Sequence, residues 1–175
     1  MPTIDLDLNP VDYLTTDAIG QPGKRVFYLQ GRKGVQTVTL LIEKLQLQTL
    51  AVGIEQFMVE IRERLPELIE ASADYVEEQM HIHPPVDPLF RVGEIGLGYE
   101  AESDLVVLIV HELLGEPVEE EESNVVRFWC TRAQARALAS WSITLSGRGR
   151  PTCPQCGESM DPEGHFCPKK NGHKH

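Results

Sequence analysis

Twice along this chain, strand-like patterns give way to apolar residues at steps of three and four, and this doubled order confines it to an α+β fold. In the first half, residues 13–19 read as a strand, followed by Gly20-Gln21-Pro22-Gly23, whose Pro-Gly pair suits the centre of a type II turn. Residues 26–30 read as the return strand, Gly31-Arg32-Lys33-Gly34 as a second turn, and residues 35–42 as a third strand rich in β-branched side chains. The result is an antiparallel β-meander. From Glu43 onward, Leu47, Leu50, Ile54, Phe57, Ile61 and Leu65 fall on one face of an α-helix, which must cover that meander. Pro66 interrupts this helix, and residues 67–80 are predicted as a second, more acidic helix that cannot continue into His81-Ile82-His83-Pro84-Pro85.

The second half repeats the order. Residues 91–100 read as a strand, 101–104 as a turn, 105–111 and 125–130 as two further strands. Thr131-Arg132-Ala133-Gln134 then fits a capping box that opens a helix with Ala135, Leu138, Ala139, Ser142 and Leu145 inward. Lys44, Gln46, Leu50 and Ala51 correspond to Arg132, Gln134, Leu138 and Ala139 at a constant offset of 88, which predicts an internal repeat of two meander-plus-helix units at about residues 12–80 and 91–147. Residues 106–110 are apolar on both alternating faces and should form a central strand, while Gly93, Gly96 and Gly98 mark bulges, sheet curvature or a close backbone approach.

Past residue 147 the composition changes. Residues 148–151 form an Arg-Gly-Arg-Pro hinge between the α+β body, residues 1–147, and a tail at 152–175 in which three of the four cysteines gather. Cys153-Pro154-Gln155-Cys156-Gly157 has the spacing of a zinc knuckle, and Cys167 with one histidine completes a Cys₃His set that suits four-coordinate Zn²⁺. His165, His173 and His175 are all close enough along the chain to be the fourth ligand. His165 is preferred because residues two apart on an extended segment point the same way, so it could close on the metal with Cys167; His173 is the competitor. Met160 and Phe166 are the tail's main apolar candidates, so zinc would supply nearly all the folding free energy of this small zinc-ribbon-like module. Four protein ligands make the ion structural and leave no position for substrate.

Charge divides along the same boundary. The net charge is −11; five Lys/Arg against three Asp/Glu from Arg148 onward give +2 there and leave −13 on the body, which would repel a phosphate backbone and disfavours a nucleic-acid partner. No apolar run approaches membrane-spanning length, and the acidic start MPTIDLDLNP lacks the basic and apolar regions of a secretory signal, so a cytoplasmic location is expected. His81 and His83 read as a surface loop pair, and His111-Glu112 lacks an accompanying nucleophile motif or phosphate loop. Cys130 reads as buried and inert, and Arg25, Tyr28 and Gln30 as a solvent-facing polar patch on the first meander.

Three stretches resemble a bacterial family catalogued as a domain of unknown function, DUF3090. They are Gly20-Gln21-Pro22-Gly23-Lys24-Arg25-Val26-Phe27-Tyr28-Leu29-Gln30, Thr131-Arg132-Ala133-Gln134-Ala135-Arg136-Ala137, and the run from Gly149-Arg150-Pro151 to Asn171-Gly172, with Asp161-Pro162-Glu163-Gly164-His165-Phe166-Cys167-Pro168 its most specific part. The resemblance implies no activity; it favours His165 as the fourth ligand, through a Gly-His-x-Cys-Pro pattern, and suggests association with a phosphoglycerate-mutase-like phosphatase and a lipid-kinase-like protein. The leading expectation is therefore a non-enzymatic binding or adaptor protein with a protein partner and a structural zinc. The alternatives are an enzyme or enzyme subunit acting on a phosphorylated small molecule near His81, His83 or His111, and single-stranded nucleic-acid binding.

Overall fold

The computed structural model describes residues 3–21, 23–115 and 123–148. Its elements are β1 (Asp5–Leu8), β2 (Tyr13–Ile19), β3 (Val26–Lys33), β4 (Gln36–Ile42), α1 (Lys44–Arg64), a 3-10 turn (Glu77–Gln79), β5 (Val92–Glu100), β6 (Leu105–Glu112), β7 (Val125–Thr131) and α2 (Arg132–Gly147). The expected α+β class holds for this body. One antiparallel sheet has the order β2-β3-β4, and the other has the order β1-β7-β6-β5 with β1 parallel to β7. The predicted central strand is β6, whose Val106, Leu108 and Val110 are fully buried.

The two helix starts are built alike. Gln134 Oε1 accepts from the Thr131 amide at 2.9 Å, and Gln46 Oε1 accepts from the Glu43 amide at 2.8 Å, so each glutamine caps its own helix. Each then donates outward from Nε2: Gln46 to the carbonyls of Val92 and Gly93 at 2.9 and 3.0 Å, and Gln134 to those of Val11 and Asp12, both at 3.4 Å. Each helix start is thereby tied to the entry of the other unit's first strand. The helices follow the same exchange, since α1 lies against β5, α2 against β2, and the two pack on each other. Leu50 with Ala51 and Leu138 with Ala139 are buried, the small residues allowing close approach.

Four expectations are corrected. α1 does not cover its own meander; it lies against β5 and α2. β1 was not anticipated: its alternation puts Leu8 and the half-buried Leu6 inward, while exposed Asp5 and Asp7 both receive bonds from Arg127 at 2.6 and 3.2 Å. β3 runs to Lys33, and the reversal falls at Gly34-Val35 with Gly34 at φ +62°, because Gly31 is needed within the strand. A Cβ at Gly31 would stand 2.5 Å from the Phe128 ring of the other sheet, so the missing side chain is what lets the sheets close. Residues 67–80 form no α-helix. Pro66 follows the C-cap Leu65, and the carbonyls of Ile69 and Ala71 are taken by Arg132 and Arg136 of α2 in place of helical amides.

The expected bulge at Gly93 is present as a register shift between Val92 and Ile95. In α1, Ala51 and Met58 join the buried face while Phe57 is half-buried, and in α2 Trp141 is buried beside the five predicted residues. At the turn expected for residues 20–23, Gly23 has φ +86° and the Lys24 amide donates to Gln21 O at 2.9 Å. Arg132, buried between α2, the β5–β6 turn and residue 69, pairs with Asp104 at 2.8 and 3.1 Å, and Tyr99 donates to the same carboxylate at 2.7 Å.

Replacing Gly31 by alanine should cost about 1–3 kcal/mol in a denaturant titration, the usual penalty of overpacking, with the loss recovered in part by Phe128→Leu. The Arg132 and Tyr99 hydrogen bonds hold the Asp104 carboxyl below its ordinary value, with burial opposing them. A folded pKa below the unfolded one contributes stability above the unfolded value that disappears as pH falls through the folded one. Asp104→Asn should therefore destabilise the protein at neutral pH, with the difference from wild type shrinking as pH falls below the ordinary carboxylate range; asparagine suits the positive φ of 53° at this residue, so the comparison reads the charge.

Candidate functional site

Leaving α1, residues 65–85 run as a strap along α2 and across β2. Tyr75 donates to Thr144 at 2.9 Å, Thr15 donates to Met80 O, and the Ile82 amide donates to Asp17 at 3.1 Å. Gln30 closes the strap: its Oε1 accepts from the His83 amide at 2.9 Å and from Tyr13 at 2.8 Å, and its Nε2 donates to His83 O at 3.1 Å and Thr39 at 2.9 Å. All four bonds of this fully buried amide are made, so Gln30 is an interior clamp and not part of a solvent-facing patch. Arg25 stacks over Phe27 at 5.4 Å, and Tyr28 is half-buried.

Trp141 sits beneath the strap. Its Nε1 donates to Thr16 O at 2.6 Å, the Tyr75 and His81 rings lie 5.7 Å from it, and the Arg148 guanidinium covers it at 5.3 Å. Arg148 also grips Glu77 through two bonds of 2.8 and 2.7 Å and holds that carboxyl below its ordinary range. The first residue of the expected hinge is thus anchored on the strap; Gly149, Arg150 and Pro151 lie outside the described residues.

The expected histidine sites separate. His81, 51% exposed at its side chain, has Nδ1 3.1 Å from Asp17, and His83 packs its ring on Tyr13 at 4.9 Å. His111 stands at the far end of β6 opposite Val125 with Nδ1 3.4 Å from Ser123, and Glu112 accepts from Asn124 at 2.8 Å instead of serving His111. Arg91 pairs with Glu43 at 2.6 Å. These groups line none of the four cavities formed by described residues that follow.

A cavity of about 370 Å³ lies between the end of α1, the start of the strap and α2, with Arg62, Arg132 and Arg136 around it. It is a poor anion site, because Arg136 makes bonds of 3.0 and 2.9 Å to Glu55 and Arg132 is committed to Asp104. A second, about 660 Å³ and mostly apolar, opens between the helices where Val52, Val59 and Ile143 are more than half exposed. A third, about 370 Å³, separates α1 from β5 and is lined by Leu45, Thr49, Gly53, Gly93, Ile95 and Leu97, among others. A fourth of about 290 Å³ shares Leu97 and continues to Tyr99. Sequence reading found none of these grooves, since each is lined by elements far apart in the sequence.

Cys153, Cys156, His165 and Cys167, with the competing His173 and His175, lie outside the described residues. Among the described residues no group of three or more His, Cys, Asp or Glu could hold a metal ion, and no helix is long and apolar enough to cross a membrane. The family model described as a protein of unknown function, DUF3090, matches residues 6–167. The chain belongs to that family. Comparison with curated proteins and with solved structures gives no match. The DUF3090 match spans both units and ends at Cys167, so it includes all four preferred ligands and stops before His173.

Cys130 of this DUF3090 chain is buried on the inner face of β7, where burial pushes its thiol up to about 12. Iodoacetamide at pH 8 should leave Cys130 unmodified in native protein and alkylate it fully in denaturant, read peptide by peptide in a mass spectrometer.

Proposed function

We propose that this protein is a non-enzymatic binding or adaptor protein of the cytoplasm, with a body that presents apolar grooves and a C-terminal segment organised by a structural Zn²⁺ on Cys153, Cys156, His165 and Cys167. The observation that carries the reading is the spacing of these ligands: two thiolates at a separation of three, then a histidine and a third thiolate two apart, all inside the family match. Such a set fills the tetrahedral preference of zinc with protein donors alone, and a zinc ion so held contributes about 10–16 kcal/mol to the folding of a small module. In support of a partner, the groove with Val52, Val59 and Ile143 is an exposed apolar surface of the kind that marks interaction sites. The reading as an enzyme for phosphorylated molecules gains nothing from the arginine-lined cavity, whose Arg132 and Arg136 are engaged by carboxylates.

Protein prepared without chelator should contain one zinc per chain. Cys153→Ser, His165→Ala and Cys167→Ser should each lose it while the body's unfolding transition stays in place, and His173→Ala should retain it; metal loss with His173→Ala and retention with His165→Ala would reverse the ligand assignment. For the adaptor role, a stoichiometric partner recovered from native cells should be lost with Ile143→Glu at constant protein level. Consistent recovery of the chain alone would count against it.

A further inference from the structure

The two halves differ at one place. Strand pairing sets the row Thr16, Leu29, Leu40 in the first sheet against Leu97, Leu108, Phe128 in the second, with Leu40 and Phe128 separated by the same 88 residues as the two capping glutamines. At that offset Trp141 corresponds to Gly53. Trp141 fills the space between α2 and β2, bonds Thr16 O, and is covered by the strap. Its counterpart has no side chain: a Cβ at Gly53 would find Leu97 Cδ1 at 4.0 Å as its nearest neighbour, and Leu97 is the residue equivalent to Thr16. The two cavities of about 370 and 290 Å³ between α1 and β5 therefore form the unfilled counterpart of the Trp141 site. β5 is also an edge strand, paired on one side by β6.

We propose that residues 149–175 occupy this groove as a second strap, as residues 65–85 occupy its counterpart. The first strap follows α1 and covers α2 and β2; the proposed one follows α2 and would cover α1 and β5, which completes the exchange already made by the helices and the glutamines. Length permits it, since 27 residues follow Arg148 against 21 in the first strap, and an extended chain spans up to about 3.3–3.6 Å per residue. Met160 and Phe166 are the large apolar side chains available to enter the space over Gly53, and the open edge of β5 offers backbone groups for an added strand. The inference rests on the repeat and does not require the metal.

The lysines make it testable on the full chain. Lys44 adjoins the groove at the start of α1, Lys24 lies in the β2–β3 turn near the end of α2, Lys33 ends β3 at the opposite end of that sheet, and Lys169, Lys170 and Lys174 are the lysines of the C-terminal segment. Amine cross-linking of an equal mixture of light and heavy-isotope protein should join the C-terminal lysines to Lys44 within one copy, in preference to Lys24 or Lys33. Gly53→Trp, which rebuilds the missing side chain, should reduce those links by about tenfold, and Leu45→Glu, at a rim residue 72% exposed, should reduce them without endangering the fold. Links spread evenly over the three body lysines, links indifferent to both variants, or links joining light to heavy copies would overturn the proposal, the last by naming a second copy as the occupant. Zinc content of the same samples is an independent readout: metal-free protein with Lys44 links refutes the zinc reading alone, and zinc-loaded protein without them refutes this one alone.

Discussion

Two glutamine side chains, Gln46 and Gln134, make the fold one body. Each satisfies an amide at the start of its own helix and two carbonyls at the entry of the other unit's first strand. Helix starts and strand entries both carry backbone groups without regular partners, and burying them unsatisfied costs about 1–3 kcal/mol each. One amide answering both needs explains why the helices are exchanged between units. With the helix starts so fixed, the two helices pack on each other, α1 reaches β5 and α2 reaches β2.

Exchange also creates what function the body offers. A helix lying on its own meander would seal its apolar stripe locally, whereas here grooves open at the boundaries between units. Around α2 that boundary is closed by Trp141, the strap and the Gln30 clamp. Around α1 it stays open at Gly53, and the open side faces the strand whose glycines leave least bulk. The polar side chains that suggested chemistry are absorbed into holding these pieces together: Asp17 and Gln30 hold the strap, and Arg132 and Arg136 hold its carbonyls and three carboxylates.

Local periodicity made the strands, both helices and the offset of 88 legible, because a buried stripe at helical spacing and the Thr131-Gln134 box are properties of neighbouring residues. What was not legible depends on distant partners. The acidic alternation of β1 becomes a strand because Arg127 stands beside Asp5 and Asp7, and residues 67–80 fail to coil because their carbonyls find arginines 63 and 65 residues away. Gln30 looks like a surface residue until the strap passes over it. The family and its span were readable from the glycine-rich turn, the second capping box and the C-terminal motif, while the grooves belong to a tertiary exchange that no local pattern encodes.

The central claim is that Gln46 and Gln134 each clamp a helix start to a strand entry in the other half of the chain. Equilibrium unfolding of Gln46→Ala and Gln134→Ala measures it most directly. Both variants should lose a similar stability, about 1–3 kcal/mol for a helix cap plus a cross-unit hydrogen bond, in a single transition monitored together by tryptophan fluorescence and circular dichroism. A negligible loss in either variant, or separate transitions for the two halves, would contradict it.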